Sequence, residues 1–242
     1  MLYLILIGLT FIVQLFSVSW YIMSEGVKGK QKALPYKMLC SLLFVADAVL
    51  AASIKSSFNS RYFMFICAEM VLCLLGDLLL NFEKGFALPA GMAFFAAAKC
   101  CGCAAFSGKL LADFGVAYFD RYDIIAEAVL TVLLAVFVFS GRLKEIGKMK
   151  IPVIIYGALI FAGAVKAVHL GVLAQASGIG DMQSLSFSLI MGELGFVFSD
   201  AVILMMFFGG KNTRKNSLIN AYLYYFGQMF IACSVLFSGG AV

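Results

Sequence analysis

The stretch Met70-Val71-Leu72-Cys73-Leu74-Leu75-Gly76-Asp77-Leu78-Leu79-Leu80 sets a single carboxyl inside an otherwise apolar run, and Gly195-Phe196-Val197-Phe198-Ser199-Asp200-Ala201-Val202-Ile203 does the same half a chain later. Each aspartate follows a small residue, and each run lies in a segment of about 20 apolar residues, the length that crosses a bilayer. An ionisable side chain at that depth costs roughly 2.5–3.5 kcal/mol on insertion scales and usually faces the bundle interior. Two such groups in matching contexts point to one shared site.

Composition places the rest of the chain in the same class. Of 242 residues 63% are hydrophobic, 13% are charged and three are proline, and the mean hydropathy is +1.01. These values exclude a soluble core and describe a polytopic membrane protein. The apolar runs predict eight spanning helices at about 2–23, 37–54, 62–82, 86–106, 119–140, 151–173, 184–208 and 217–237, joined by short loops with glycine punctuation. The expected fold is an all-α membrane protein forming one polytopic domain over 1–242. Asp77 and Asp200 are each preceded by a glutamate, Glu69 and Glu193, and four helices separate them. That faint repeat suggests four-helix halves, 1–118 and 119–242, related by a pseudo-twofold along the membrane normal.

No Lys or Arg precedes the first apolar run, so it reads as a retained helix rather than a signal peptide. The basic residues gather after helices one (Lys28, Lys30, Lys32, Lys37), five (Arg142, Lys144, Lys148, Lys150) and seven (Lys211, Arg214, Lys215). By the positive-inside rule those loops are cytoplasmic, both termini lie on the far side, and both aspartates fall in the cytoplasmic half. The expected location is the inner membrane of a bacterial cell. The net charge of +5 then reports topology and attraction to anionic lipid, and nucleic acid is not an expected partner.

Seven cysteines, at 40, 67, 73, 100, 101, 103 and 233, all fall in predicted helices, where thiols act as small hydrophobes. Cys100-Cys101-Gly102-Cys103 lacks a second cysteine pair, and the single histidine, His169, stands apart from it, so no metal is expected. Phosphate loops, dinucleotide fingerprints and nucleophile elbows are missing.

Helical spacing predicts which groups share a face. Ser186, Glu193 and Asp200 recur every seven residues; Asn220, Tyr224 and Gln228 recur every four, and the two stripes are expected to face each other, with Tyr225 some 100° away. Such stripes also serve as hydrogen-bonding glue between membrane helices. Buried Asp47, Glu69, Asp77, Glu193, Asp200, Lys99 and Lys166 leave open a proton-coupled small-molecule transporter. Against it, Pro35, Pro89 and Pro152 lie near helix starts, where proline is tolerated, rather than at midspan. A non-catalytic lipid-binding membrane protein is a third reading.

Through Leu75-Gly76-Asp77-Leu78-Leu79-Leu80, Gly195-Phe196-Val197-Phe198-Ser199-Asp200, Tyr224-Tyr225-Phe226-Gly227-Gln228 and Tyr156, the chain resembles the YhhN-like lysoplasmalogenase family of eight-helix membrane proteins along nearly its whole length. The resemblance implies hydrolysis of the vinyl ether of a lysoplasmalogen to a fatty aldehyde and a glycerophospho-head group, with Asp77 and Asp200 as the catalytic pair. The chain departs from the family on its fourth helix, where Phe-x-x-x-His-x-x-Tyr becomes Phe95, Lys99 and Gly102, and at the entry to the second, Pro35-Tyr36-Lys37.

Vinyl ether hydrolysis asks for an acid that protonates the alkene carbon and a second carboxylate that stabilises the oxocarbenium ion and activates water, the division of labour found in glycosidases. It requires neither metal nor nucleotide, so no cofactor is expected. Tyr224 and Gln228, and less directly Tyr225, are candidates for positioning the water or the glycerol oxygen, and Tyr156 and Glu193 are further substrate-binding candidates. Lys99 offers a cation for a phosphate or a partner for a carboxylate. The expected substrate is a single-chain phospholipid whose tail lies among apolar side chains and whose phosphate is drawn by Lys84 and the Lys211–Lys215 cluster.

Overall fold

A computed structural model describes residues 2–82, 86–118 and 120–239. Lys84 therefore lies outside the described residues. The described residues form eight helices long and apolar enough to cross a membrane: α1 (Leu2–Lys28), α2 (Lys30–Lys55), α3 (Arg61–Leu79), α4 (Ala87–Phe114), α5 (Arg121–Phe139), α6 (Lys150–Ala176), α7 (Gly180–Phe208) and α8 (Arg214–Phe237). No strand occurs among them. The all-helical, eight-span architecture read from hydropathy is thus the observed one.

The first two helices run further than their apolar cores. Residues 24–36, expected as a loop, are helical apart from Gly29, whose φ of 82° makes the reversal. Hydropathy marks where a helix leaves the hydrocarbon, whereas its hydrogen bonds continue until the backbone turns, here at a conformation that glycine adopts without steric cost. Lys37 is consequently a helical residue on α2 and not a loop charge. Pro89 and Pro152 occupy the first turns of α4 and α6, while Pro35 sits slightly deeper in α2.

Helix α8 is the most enclosed span, packing against α1, α2, α3 and α7. Its closest seam is with α7, and small residues make it. A Cβ on Gly195 would lie 2.9 Å from the Leu223 carbonyl oxygen, and one on Gly227 would lie 2.9 Å from that of Gly192. With no hydrophobic driving force between helices in lipid, such close backbone approach supplies the packing. Helix α4 packs on α3 and α6, and α6 on α7. Helix α5 is the exception: its backbone approaches that of α6 and of no other helix, and only Asp123 and Val138 along it are buried.

At the basic-loop end, Val138, Leu143, Ile146, Val153 and Phe208 form a small apolar cluster separate from the main core. There the Glu145 amide donates to the Phe208 carbonyl at 3.2 Å, tying the α5–α6 connection to the end of α7.

Candidate active site

Asp77 is the third residue from the end of α3, a position where helix carbonyls lack intrahelical partners and a negative charge is disfavoured by the helix dipole. Lys37 on α2 answers both problems. Its Nζ donates to the Asp77 backbone carbonyl at 2.9 Å and lies 3.5 Å from Oδ1. One turn along the same face, Ser41 donates to Oδ2 at 2.7 Å, and from α8 the Tyr224 hydroxyl donates to the same oxygen at 2.9 Å. Three helices thus converge on this carboxyl, which is almost fully buried.

Asp200, on α7, has a sparser setting. The Tyr156 hydroxyl on α6 donates to its Oδ2 at 2.7 Å, and no cation of the described residues lies within 4.0 Å. Its neighbour Ser199 donates to Asn220 Oδ1 on α8 at 2.8 Å.

Both aspartates line one cavity of about 840 Å3, together with Lys37, Tyr156, Tyr224 and Tyr225. The volume falls within the roughly 300–1,000 Å3 typical of small-molecule sites. Polar groups, including Glu25, Asn81, Asn212 and Arg214, gather toward the basic-loop end. Leucine, isoleucine, methionine and phenylalanine from α4 to α7 wall the remainder. The ring of Tyr224 is fixed edge-on to Phe95 (5.9 Å) and Tyr225 (4.8 Å), and Tyr225 stacks on Phe44 at 6.4 Å.

Three residues expected at the site stand elsewhere. Lys99 lies deeper in the bundle, 2.5 Å from Glu69 Oε1 and 2.9 Å from Glu193 Oε1, with all three side chains at zero exposure. Its Nζ also sits 4.0 Å over the Phe196 ring. Glu69 and Glu193 precede the two aspartates by eight and seven residues, about 10–12 Å along their helices. Glycine at 102 belongs to this arrangement, because the Glu69 carboxylate occupies the space a Cβ would take. The fourth-helix departure, Lys99 with Gly102, thus houses a closed ionic triad linking α3, α4 and α7. Gln228 is fully buried one turn from Tyr224, away from the cavity wall, with neither amide atom hydrogen-bonded.

The expectation that the α7 and α8 stripes face each other is corrected. Glu193 bonds to α4 and Asp200 to α6, while the Tyr224 hydroxyl bonds to α3 and its ring rests on Phe196 of α7; of the α8 stripe, Asn220 alone hydrogen-bonds to α7 among the described residues, through Ser199. The glycine seam brings the two backbones together on a different face and rotates the polar stripes outward from it.

Lys37 and Ser41 were not expected at the site. Their i, i+4 spacing on an apolar helix was the available signal, masked by reading Lys37 as a loop charge.

His169 also has company: Nδ1 lies 2.8 Å from Asp123 Oδ1, whose other oxygen lies 2.7 Å from Lys166 Nζ, and Asp120 stands close by at the opposite end of the bundle. The lysine supplies the positive charge there. All seven cysteines are unpaired.

What the arrangement offers chemically is two carboxyls with different partners lining one cavity, a cation fixed beside one of them, and an apolar chamber adjoining both. No curated protein and no solved structure gives a significant match to this chain. Its sequence does match the YhhN family over residues 4–235, a stretch that contains every residue lining the cavity, and the chain belongs to that family.

Proposed function

We propose that the protein is a membrane-embedded hydrolase that cleaves the vinyl ether of lysoplasmalogens, releasing a fatty aldehyde and a glycerophospho-head group. The observation that carries the proposal is that Asp77 and Asp200 line one cavity in unlike environments. Asp77 accepts from two hydroxyls and faces the Lys37 ammonium, an arrangement suited to a carboxylate. Asp200 has a single tyrosine donor and no adjacent cation, an arrangement suited to a neutral acid in a low-dielectric surrounding.

In this reading Asp200 delivers its proton to the alkene carbon β to the ether oxygen. The oxocarbenium ion that results is stabilised by ionised Asp77, which then takes a proton from the attacking water. The hemiacetal so formed collapses to aldehyde and alcohol as Asp77 passes its proton to the departing ether oxygen and Asp200 takes the hydroxyl proton, which restores both groups. Tyr156 and Tyr224 act as positioning residues by fixing the two carboxyls. The basic loops face the cytoplasm, so the phosphate of the substrate enters from that side toward Arg214.

The test is aldehyde release from a lysoplasmalogen by purified protein in liposomes, for wild type, Asp77→Asn and Asp200→Asn. Acid-base groups contribute roughly a hundred- to ten-thousand-fold, so each variant should fall by that factor while inserting normally. Full turnover by either variant removes that aspartate from the mechanism. Inactivity of the wild type toward vinyl ether lipids removes the reaction.

A further inference from the structure

We infer that the apolar arm of the cavity, walled by α5 and α7 and backed by α6, is the binding site for the hydrocarbon chain of a single-chain lipid and opens sideways into the bilayer. The inference rests on the hydrolase reading for the identity of the head group and on geometry for the rest.

Helix α5 contributes Leu130, Leu133, Leu134 and Phe137 to the cavity wall, two turns of one face, although its backbone packs on α6 alone. Across the chamber stand Ile203 and Phe207 of α7. No backbone contact joins α5 to α7 or to α4 along this length, so the space between them is filled by side chains only. The opening has a floor: the Glu145 to Phe208 hydrogen bond and the apolar cluster around it close α5 onto α7 at the basic-loop end. Leu130, Leu133 and Phe207 line the cavity and are also exposed on the outer surface, within the spanning part of both helices, where the neighbouring solvent is lipid.

Polarity inside the cavity is arranged to match. Asp77, Lys37 and Arg214 come from α3, α2 and α8 and Asp200 and Tyr156 from α7 and α6, whereas α5 offers no polar side chain to the lining. A chain sliding in from the bilayer exchanges one apolar surrounding for another. Drawing the same chain through the polar end would expose it to water, roughly a fourfold penalty in equilibrium for each methylene. The occupant that fits both ends is an amphiphile with one chain, its reactive bond between the arm and the carboxyls.

The probe is a saturated single-chain ether phospholipid with a diazirine at the chain terminus, mixed with wild-type protein in phosphatidylcholine liposomes, irradiated, and mapped by peptide mass spectrometry. Saturable labelling of 130–137 and 203–207, competed by unlabelled lipid, is the expected result. Labelling concentrated in the groove of Phe11, Phe187 and Phe230 at the other end, or spread without saturation over the outer helix faces, would overturn the inference. Leu134→Trp should cut the label at least tenfold, whereas Val132→Trp, on the lipid-exposed face of α5, should leave it unchanged. Because the probe has no vinyl ether, label in the arm without any aldehyde release in the parallel assay refutes the hydrolase and keeps the chain site. Aldehyde release with label elsewhere does the reverse.

Discussion

Replacing Lys99 by methionine removes one ammonium and little volume, and the structure fixes what remains. Glu69 and Glu193, each within 2.9 Å of the lost nitrogen and both at zero exposure, would face each other with no counter-charge. Removing one partner from a buried ion pair costs about 3–5 kcal/mol, because the abandoned charge has no solvent to fall back on. At 1.4 kcal/mol per decade the ratio of folded to unfolded protein falls roughly 100- to 4,000-fold. The lost contact with the Phe196 ring acts in the same direction.

The assay is thermal unfolding in mild detergent followed by helical circular dichroism, where a loss of this size lowers the midpoint by roughly 10 °C. The triple variant Lys99→Met, Glu69→Gln, Glu193→Gln is the control. With both charges neutralised alongside the lysine, it should recover most of the lost stability. Lys99→Met melting with the wild type, or the triple variant melting no higher than the single, would refute the argument that the triad is an electrostatic lock between α3, α4 and α7.

Tyr156→Phe and Tyr224→Phe each delete one hydroxyl donated to an aspartate, so aldehyde release should drop roughly tenfold to a hundredfold, less than for the aspartate variants, with expression unchanged. Gly227→Ala places a methyl against the Gly192 carbonyl oxygen and should destabilise the α7–α8 pair by about 1–3 kcal/mol, read as a lower unfolding midpoint, while the same change at exposed Gly26 should be silent. Lys37→Met removes the cation beside Asp77 and should lower turnover more than lipid binding, separable by comparing kcat with the binding of a non-hydrolysable ether lipid.

The spans were legible because about 20 apolar residues in lipid leave the backbone few alternatives to a helix. Their ends were not, since the basic turns around Gly29 are polar and helical at once. Asp77 and Asp200 stood out by the cost of a carboxyl in an apolar run, Tyr224 by its four-residue spacing with Asn220 and Gln228, and Tyr156 through the family resemblance. The facing of α7 and α8 was misread because polar stripes were followed, whereas Gly192, Gly195 and Gly227 govern how the two helices dock. Lys99 and Glu193 carried the same signal as the aspartates. Nothing in spacing alone separates a charge consumed by a distant helix from one left facing a chamber, which is why the triad had to be seen.

Helix α5, tethered along a single flank, differs in kind from the seven spans around it. The aspartates are held by α2, α3, α6, α7 and α8, and α5 supplies none of the groups that fix either carboxyl. On the proposed lipid-hydrolase reading, chain length and chemistry are therefore set by different helices: exchanging one plank of the hull retunes what fits inside and leaves the keel intact.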